Sequence, residues 1–309
     1  MTVGVDEIMS GAESSIDLKR QAKIEAWQNG AAPDRTTHTL HLGDARDMPD
    51  IREPIHLVVT SPPYFNLIDY DGGRADDGQL GGIDEYESFL DELDRVWRRC
   101  YDLLTPGGRL CVVVGSVCIS RRAGGRHHVL PLPADIAVRA RQVGFDYLTP
   151  IRWYKIANMA TEAKGVGFLG KPYEPNAIVK NDIETILMLR KPGSYRKPTA
   201  AQRALSLIEP DDHRRWFRSI WDDIRGEARR RGHPAPFPVE LASRLIQMFS
   251  FVGDTVLDPF WGTGTTTAAA MLTARSSIGY EIEPRYLEIG RGRLGQVDAL
   301  QVPAEVICP

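Results

Sequence analysis

The chain alternates short runs of consecutive apolar residues with longer stretches in which apolar residues return every three or four positions. That pattern predicts strands buried on both faces alternating with amphipathic helices. Thr37, Leu40 and Leu42 lead to a turn at Gly43-Asp44, and a second strand, 56–60, ends at Ser61-Pro62-Pro63-Tyr64. The spacing of Phe89, Leu93, Val96, Trp97, Cys100 and Leu104 predicts a helix over 84–104, with Asp84 and Glu87 as a capping box and Thr105 to Gly108 as its stop. Residues 109–114 read as another buried strand, and Gly115 opens a loop carrying Arg121, Arg122, Arg126, His127 and His128. A helix over 132–143 and strands near 148–154 and 184–189 follow, the two strands separated by a glycine-rich stretch, 163–170. Past Pro238, the positions Val239, Ala242, Leu245, Ile246 and Phe249 share one helical face. A strand over 255–257, a loop from Asp258 to Gly264, a helix from Thr265, a strand over 277–280 and a helix opened by Pro284 complete the pattern, which contains no internal repeat.

This order predicts an α/β fold, a doubly wound and mostly parallel sheet with one small insertion. Such sheets hold ligands in the crevice beyond the carboxyl ends of their strands. Gly43-Asp44, Ser61 to Tyr64, Asp258 to Gly264 and Glu281 each follow a predicted strand, so one edge can collect all four.

Composition narrows the classes. No run reaches the ~18 apolar residues of a membrane span, and residues 1–30 are too mixed in charge for a secretory leader, so a cytoplasmic protein is expected. The four cysteines show neither CxxC spacing nor a histidine cluster, which argues against a zinc site or a disulfide framework; Cys100, Cys111 and Cys118 read as core or near-core, and no metal is expected. The net charge of −3 conceals an asymmetry: residues 190–231 hold twelve Lys or Arg against six Asp or Glu, leaving −9 for the rest. A basic block with Trp216, Phe217 and Trp221 interleaved points to a polyanion, although a solvated charged helix gives the same count.

The loop from Asp258 to Thr266 presents a carboxylate at a strand end and two glycines, Gly262 and Gly264, that allow close backbone approach at a helix N-terminus. It is a nucleotide-type loop without the lysine of a phosphate loop, and Thr267 stands where a dinucleotide loop has its third glycine. Its acid favours a cationic or amino-bearing ligand, and S-adenosylmethionine fits. Glu281 is placed to accept from ribose hydroxyls. Taken alone, Gly-Thr-Gly also suits a plain tight turn. In Ser61-Pro62-Pro63-Tyr64 the prolines stiffen the backbone, so that the Ser61 hydroxyl and the Pro62 carbonyl can converge on one amine while Tyr64 stacks on a planar base. Those are the parts amino methylation needs, and a base within a duplex reaches them only when flipped out. Pro-Pro alone also makes a stiff turn.

Together Thr60 to Tyr64 and Asp258 to Gly264 resemble the catalytic and cofactor motifs of amino-DNA methyltransferases, and their order, catalytic motif first, resembles the beta class. The resemblance covers most of 37–295 and implies a Rossmann-like S-adenosylmethionine-dependent methyltransferase fold. It divides the chain into an N-terminal extension (1–36), a catalytic half (37–191), a basic target-recognition segment (192–232), a cofactor-binding half (233–295) and a tail (296–309). It implies catalytic roles for Ser61, Pro62, Pro63 and Tyr64. Cofactor contacts are implied for Asp44, Ala45, Thr60, His233, Pro234, Phe237, Asp258, Pro259, Phe260, Gly262, Gly264, Thr265, Thr266 and Glu281. Ser at the first catalytic position favours cytosine N4, with adenine N6 the alternative on the same scaffold. A non-catalytic DNA-binding subunit is the alternative of another class. No cysteine follows a proline, which disfavours the C5-cytosine mechanism. Asp69 and Asp71 could help accept the departing proton or simply belong to a polar loop. Arg214, Arg215, Arg218, Arg225, Arg229, Arg230 and Arg231 are candidates for DNA contact, with Arg121, Arg122 and Arg126 beside the flipped base. The implied partners are double-stranded DNA and, functionally, a cognate restriction endonuclease, with the protein a monomer or homodimer.

Overall fold

The computed structural model describes residues 5–65, 78–119, 125–155, 175, 179, 181–226, 237–297 and 303–308, with backbone alone for 5–14. Asp69, Asp71, Arg121, Arg122, Arg229, Arg230, Arg231, His233, Pro234 and the glycine-rich stretch lie outside the described residues.

A nine-stranded sheet organises the chain. Its strands are β1 (Thr36–Leu42), β2 (Ile55–Thr60), β3 (Leu104–Val114), β6 (Asp146–Tyr154), β7 (Ile183–Arg190), β8 (Ile220–Trp221), β9 (Thr255–Asp258), β10 (Ser276–Glu281) and β11 (Ala304–Ile307). They lie in the order β11-β1-β10-β9-β2-β3-β7-β6-β8. Every described pairing in this sheet is parallel except the two made by β7, which runs against both β3 and β6. A separate antiparallel pair, β4 (Val117–Ile119) and β5 (His128–Leu130), extends past the end of β3.

Residues alternate between two cores because a strand's side chains alternate between faces. On β2, an irregularity between Ile55 and Leu57 puts Ile55 on the same face as Val58, and both face a core completed by α2 (Tyr86–Leu103) and α3 (Leu132–Val143), through Phe89, Leu93, Trp97 and Ile136. Leu57 and Val59 face the opposite core, closed by α6 (Val239–Phe249) and α7 (Thr265–Leu272) with Trp153, Trp216 and Trp221. The doubly wound expectation therefore holds, and Cys100 and Cys111 are buried as expected.

The local details differ in three places. The cap of α2 is Glu85, whose carboxylate accepts from the backbone N–H groups of Glu87 and Ser88, not Asp84. The Thr105-Pro-Gly-Gly108 stop is already strand, since β3 starts at Leu104. The polar N-terminal stretch forms α1 (Val5–Gln28), held to the body by Arg20 to Glu209 and by Lys23 Nζ to the Leu207 carbonyl, while residues near the other end add β11 beside β1. The basic segment forms α4 (Ala200–Leu205), α5 (Pro210–Trp216) and β8. It is tied down by Arg244 of α6, 2% exposed, which holds both oxygens of Asp223 at 2.9 Å and Glu240 at 2.6 Å.

The loop after β9 is keyed by Trp261, 2% exposed, whose Nε1 donates to Thr267 Oγ1 at 2.8 Å. The indole lies in a slot that three glycines leave open. A Cβ on Gly264, Gly279 or Gly290 would stand 2.7, 2.2 or 2.3 Å from its ring atoms. Gly290 lies within α8 (Pro284–Leu294), where Gly to Ala ordinarily stabilises by about 1 kcal/mol. Here Gly290→Ala is expected to destabilise by about 1–3 kcal/mol through overpacking. Gly292→Ala on the same helix, with open space around it, should not; urea unfolding of the two variants compares them directly.

Candidate active site

Because β1, β10, β9, β2 and β3 run the same way, their carboxyl ends share one edge, and a cleft opens there enclosing about 930 Å3 of atom-free space, mouth included. Gly43, Asp44 and Ala45 line it from the end of β1, Ser61 to Tyr64 from β2, Asp258 to Thr263 and Thr265 from β9, and Glu281 and Ile282 from β10. Four segments dispersed over the sequence thus meet because the sheet brings their strand ends together.

Asp258 is 2% exposed and fixed on one oxygen, which accepts from Thr60 Oγ1 at 2.7 Å and from the Phe260 backbone N–H at 3.1 Å. Burial without a counter-charge pushes its carboxyl up to about 6, against the lowering effect of those hydrogen bonds. Glu281 accepts from the Gly262 backbone N–H at 2.7 Å and from the Glu283 N–H at 2.9 Å, and burial takes it up to about 7. Asp44 behaves otherwise: burial would raise it, but hydrogen bonds from the side chain and backbone of Arg46 hold it below the usual range. That guanidinium is itself shared with Glu92 and the Gly78 carbonyl. Gly264, at φ +79, turns the chain into α7 in a left-handed conformation that disfavours other residues.

Residues 55–291 match the family of DNA methylases that act on N6 and N4 amines. The chain belongs to that family. It is 37% identical over 288 residues to the type II methyltransferase M.MjaI of Methanocaldococcus jannaschii, across 84% of this chain and 92% of that one. With M.MthZI of Methanothermobacter thermautotrophicus it shares 32% over 292 residues, 88% and 80% of the two chains. Among solved structures, TTHA0409 of Thermus thermophilus, a putative DNA modification methylase complexed with S-adenosyl-L-methionine, matches with a TM-score of 0.70 and 50% identity over 88% of this chain and 98% of that one. The cytosine-N4-specific PvuII DNA methyltransferase matches at 0.56 and 17% identity over 89% and 98%, a likeness of fold alone. The methylase is an S-adenosylmethionine-dependent DNA methyltransferase of the N4/N6 type.

Its cleft suits that cofactor. Among the described residues, no Lys, Arg or His lines the cleft, while three carboxylates do, a balance that favours a sulfonium and an ammonium over a pyrophosphate. Glu281 gives one lone pair per oxygen to the backbone and keeps others for a vicinal diol. Leu80, Phe260, Ile282 and Tyr286 supply the apolar walls for a planar ring.

Most expected site residues line the cleft: Asp44, Ala45, Ser61, Pro62, Pro63, Tyr64, Phe237, Asp258, Pro259, Phe260, Gly262, Thr265 and Glu281. Thr60, Gly264 and Thr266 stand behind it. Thr60 supports Asp258, Gly264 caps α7, and Thr266 donates to the Val59 carbonyl at 3.1 Å. Of the expected DNA-contacting arginines, Arg126 is exposed at the tip of the β4–β5 pair, and Arg225 follows Ile224, whose carbonyl accepts from Trp153 near the carboxyl end of β6. Arg218 is exposed between α5 and β8. Arg214 and Arg215 pair with Asp211 and Asp212 on α5, whose His213 borders a groove at the opposite, amino edge of the sheet, beside Thr105 to Arg109. Sequence reasoning missed Gln79, Leu80 and Tyr286 on the cleft wall, and Glu184, which accepts from the Tyr64 hydroxyl. An acid opening an otherwise apolar strand was the available signal for Glu184.

The raised Asp258 carboxyl has a stability consequence. Below the unfolded value, near 3.8, both states are protonated; between that and about 6 only the folded state holds the proton; above 6 the fold carries a buried charge. The penalty, on the order of 3 kcal/mol, therefore grows as pH rises from 4 to 6. Asp258→Asn should gain stability relative to the parent over that window and track it below pH 4, as read by denaturant unfolding at a series of pH values.

Proposed function

We propose that this methyltransferase modifies the exocyclic N4 amine of a cytosine flipped out of duplex DNA. The reading rests chiefly on one observation, that Ser61, Pro62, Pro63 and Tyr64 line the same cleft as Asp258 and Glu281. The choice of cytosine rests on Ser61, since adenine enzymes of the family tend to carry Asp at that position.

The amine of a nucleobase is a weak nucleophile because its lone pair is delocalised into the ring. The Ser61 hydroxyl and the Pro62 carbonyl accept its two hydrogens and favour a more tetrahedral nitrogen, while Tyr64 presents a ring for the flipped base to stack on. When bound, S-adenosylmethionine supplies a methyl group on a positively charged sulfur. Direct transfer to the nitrogen held by Ser61 and Pro62 would leave S-adenosylhomocysteine as the neutral thioether and pass the amine's surplus proton to water, with no covalent enzyme–base adduct. Asp44, Asp258, Gly262 and Glu281 hold the cofactor, with Phe237 and Phe260 closing around it. His233 and Pro234 are assigned to the same segment as Phe237 by the family resemblance. Arg126 and Arg225, at the carboxyl edge, suit phosphates on either side of the flipped base, with Arg218 further along the strand. The description of the relatives as type II methyltransferases supports a role beside a restriction endonuclease.

Methyl transfer from labelled S-adenosylmethionine to mixed-sequence duplex DNA, followed by nucleoside analysis, tests this reading. Label in N4-methylcytosine is expected; label in N6-methyladenine would transfer the reaction to adenine, and no label with cofactor bound would leave a DNA-binding protein. Tyr64→Ala is expected to lower turnover by about 100-fold or more by removing the stacking surface.

A second expectation follows from Glu281. A cationic ligand favours the ionised form of a carboxyl raised to about 7, so S-adenosylmethionine should bind more tightly as pH rises from 6 to 8 and release protons on binding. Calorimetry in buffers of different ionisation enthalpy measures that release, and Glu281→Gln should remove most of it.

A further inference from the structure

Tyr64 is caught by its hydroxyl. That group donates to Glu184 Oε1 at 2.8 Å and accepts from the Gly115 backbone N–H at 3.3 Å, and Glu184 is in turn paired with Lys155 Nζ. The four residues arrive from four strand ends: Tyr64 beyond β2, Gly115 beyond β3, Lys155 beyond β6, and Glu184 as the second residue of β7. Glu184 can take part because β7 is reversed, so that its start lies where its neighbours finish. Tyr64 is 7% exposed, and the side chains of Glu184 and Lys155 are 13% and 18% exposed. Lys155 also lies over the Trp153 ring, 4.9 Å from its centroid. Gly115 leaves the room this requires, since a Cβ there would stand 3.3 Å from Glu184 Cγ and 3.5 Å from the Tyr64 hydroxyl.

A ring needed only as a flat apolar surface does not require its hydroxyl to be held. Stacking fixes the spacing between ring and base but leaves the direction of the ring to χ1 and its plane to χ2, which is broad. Holding the oxygen restricts the first, and a phenol that both donates to Glu184 and accepts from Gly115 restricts the second, because both bonds prefer the ring plane. An ion pair taken largely out of water also costs desolvation, which further hydrogen bonds must offset. We infer that Glu184 and Lys155 are positioning residues that set the plane of the Tyr64 ring, and through it the attitude of the flipped base toward the transferred methyl group. This rests on the reading of Tyr64 as the stacking residue. Glu184 holds the hydroxyl, Lys155 neutralises and steers the carboxylate, and neither touches the base.

The test compares Tyr64→Phe, Glu184→Ala, Glu184→Gln and the double variant Tyr64→Phe/Glu184→Ala. Turnover on mixed-sequence duplex DNA is measured alongside the Kd for S-adenosylmethionine and the melting temperature. Tyr64→Phe and Glu184→Ala should each lower kcat by about 10- to 100-fold, the scale of a misplaced reactant, with cofactor affinity changed less than about twofold. The double variant should be no slower than the slower single variant, because both remove one contact. Glu184→Gln keeps an acceptor for the hydroxyl and should recover most of the loss. Multiplying losses in the double variant, cofactor binding that weakens in step with kcat, or full turnover in Glu184→Ala would each overturn the inference. If Glu184→Ala does not fold, Tyr64→Phe, which deletes a single oxygen, and Glu184→Gln decide. Full activity of Tyr64→Ala would remove the stacking reading itself, whereas its loss beside an unaffected Glu184→Ala would remove the anchor alone.

Discussion

The hydrogen bond from Thr60 to Asp258, 2.7 Å long and shut away from solvent, joins the bases of two loops that line the cleft. Thr60 ends the strand that delivers Ser61 to Tyr64, and Asp258 ends the adjacent strand, which delivers the loop to Gly264. The oxygen that accepts from Thr60 also accepts from the Phe260 N–H, so one atom sets the spacing between the loops and the first turn of the second loop. A buried carboxyl without a counter-cation is costly, and its ordinary remedy would be a nearby arginine. An arginine there would place a positive charge on the wall of a cleft that, among the described residues, is lined by carboxylates and no cation. The raised carboxyl of Asp258 is the consequence of a cleft wall that holds no cation among the described residues.

The same constraint governs where the other charges go. Arg46 stands close to the cleft, but its guanidinium is taken up by Asp44, Glu92 and a backbone carbonyl. Arg244 is enclosed between Asp223, Glu240 and two tryptophan rings, where it fastens the basic segment to the body. The exposed cations Arg126 and Arg225 stand near the carboxyl edge but do not line the cleft. Acid lines the interior of the site while exposed cations stand outside it, an arrangement suited to a ligand with a cationic centre and a substrate with a polyanionic backbone.

Much of this was legible in the sequence because the signals were local. The strand ends at Gly43, Tyr64, Asp258 and Glu281 are marked by apolar runs stopping at glycine, proline or acid, and the parallel fold then places them together. The reversed strand was not legible: the run Ile186 to Leu189 is apolar in either direction, and only the pairing of Arg109 with Arg190 and Val114 with Thr185 shows which way it runs. Glu184 was missed for that reason, since an acid at the start of a forward strand would lie at the wrong edge. The role of Trp261 was hidden as well, because the glycines that make room for it are spread from 264 to 290 and carry no joint signature. The N-terminal helix left only a weak helical periodicity in a polar stretch; Ala26 and Trp27 pack at its end, and Arg20 and Lys23 hold it through polar contacts.

The sheet order also bears on how the protein is assembled. β1 and β2 are neighbours in the chain, yet β10 and β9 lie between them in the sheet. On a ribosome those two are made long after β1, which therefore stays without either neighbour, β10 or β11, while most of the residues between them are synthesised. Contacts of such long sequence separation slow folding and leave strand edges open meanwhile. A nascent chain stalled before residue 255 therefore lacks the two strands that join β1 to β2, and with them the walls that Asp258 to Thr265 and Tyr280 to Tyr286 give the cleft.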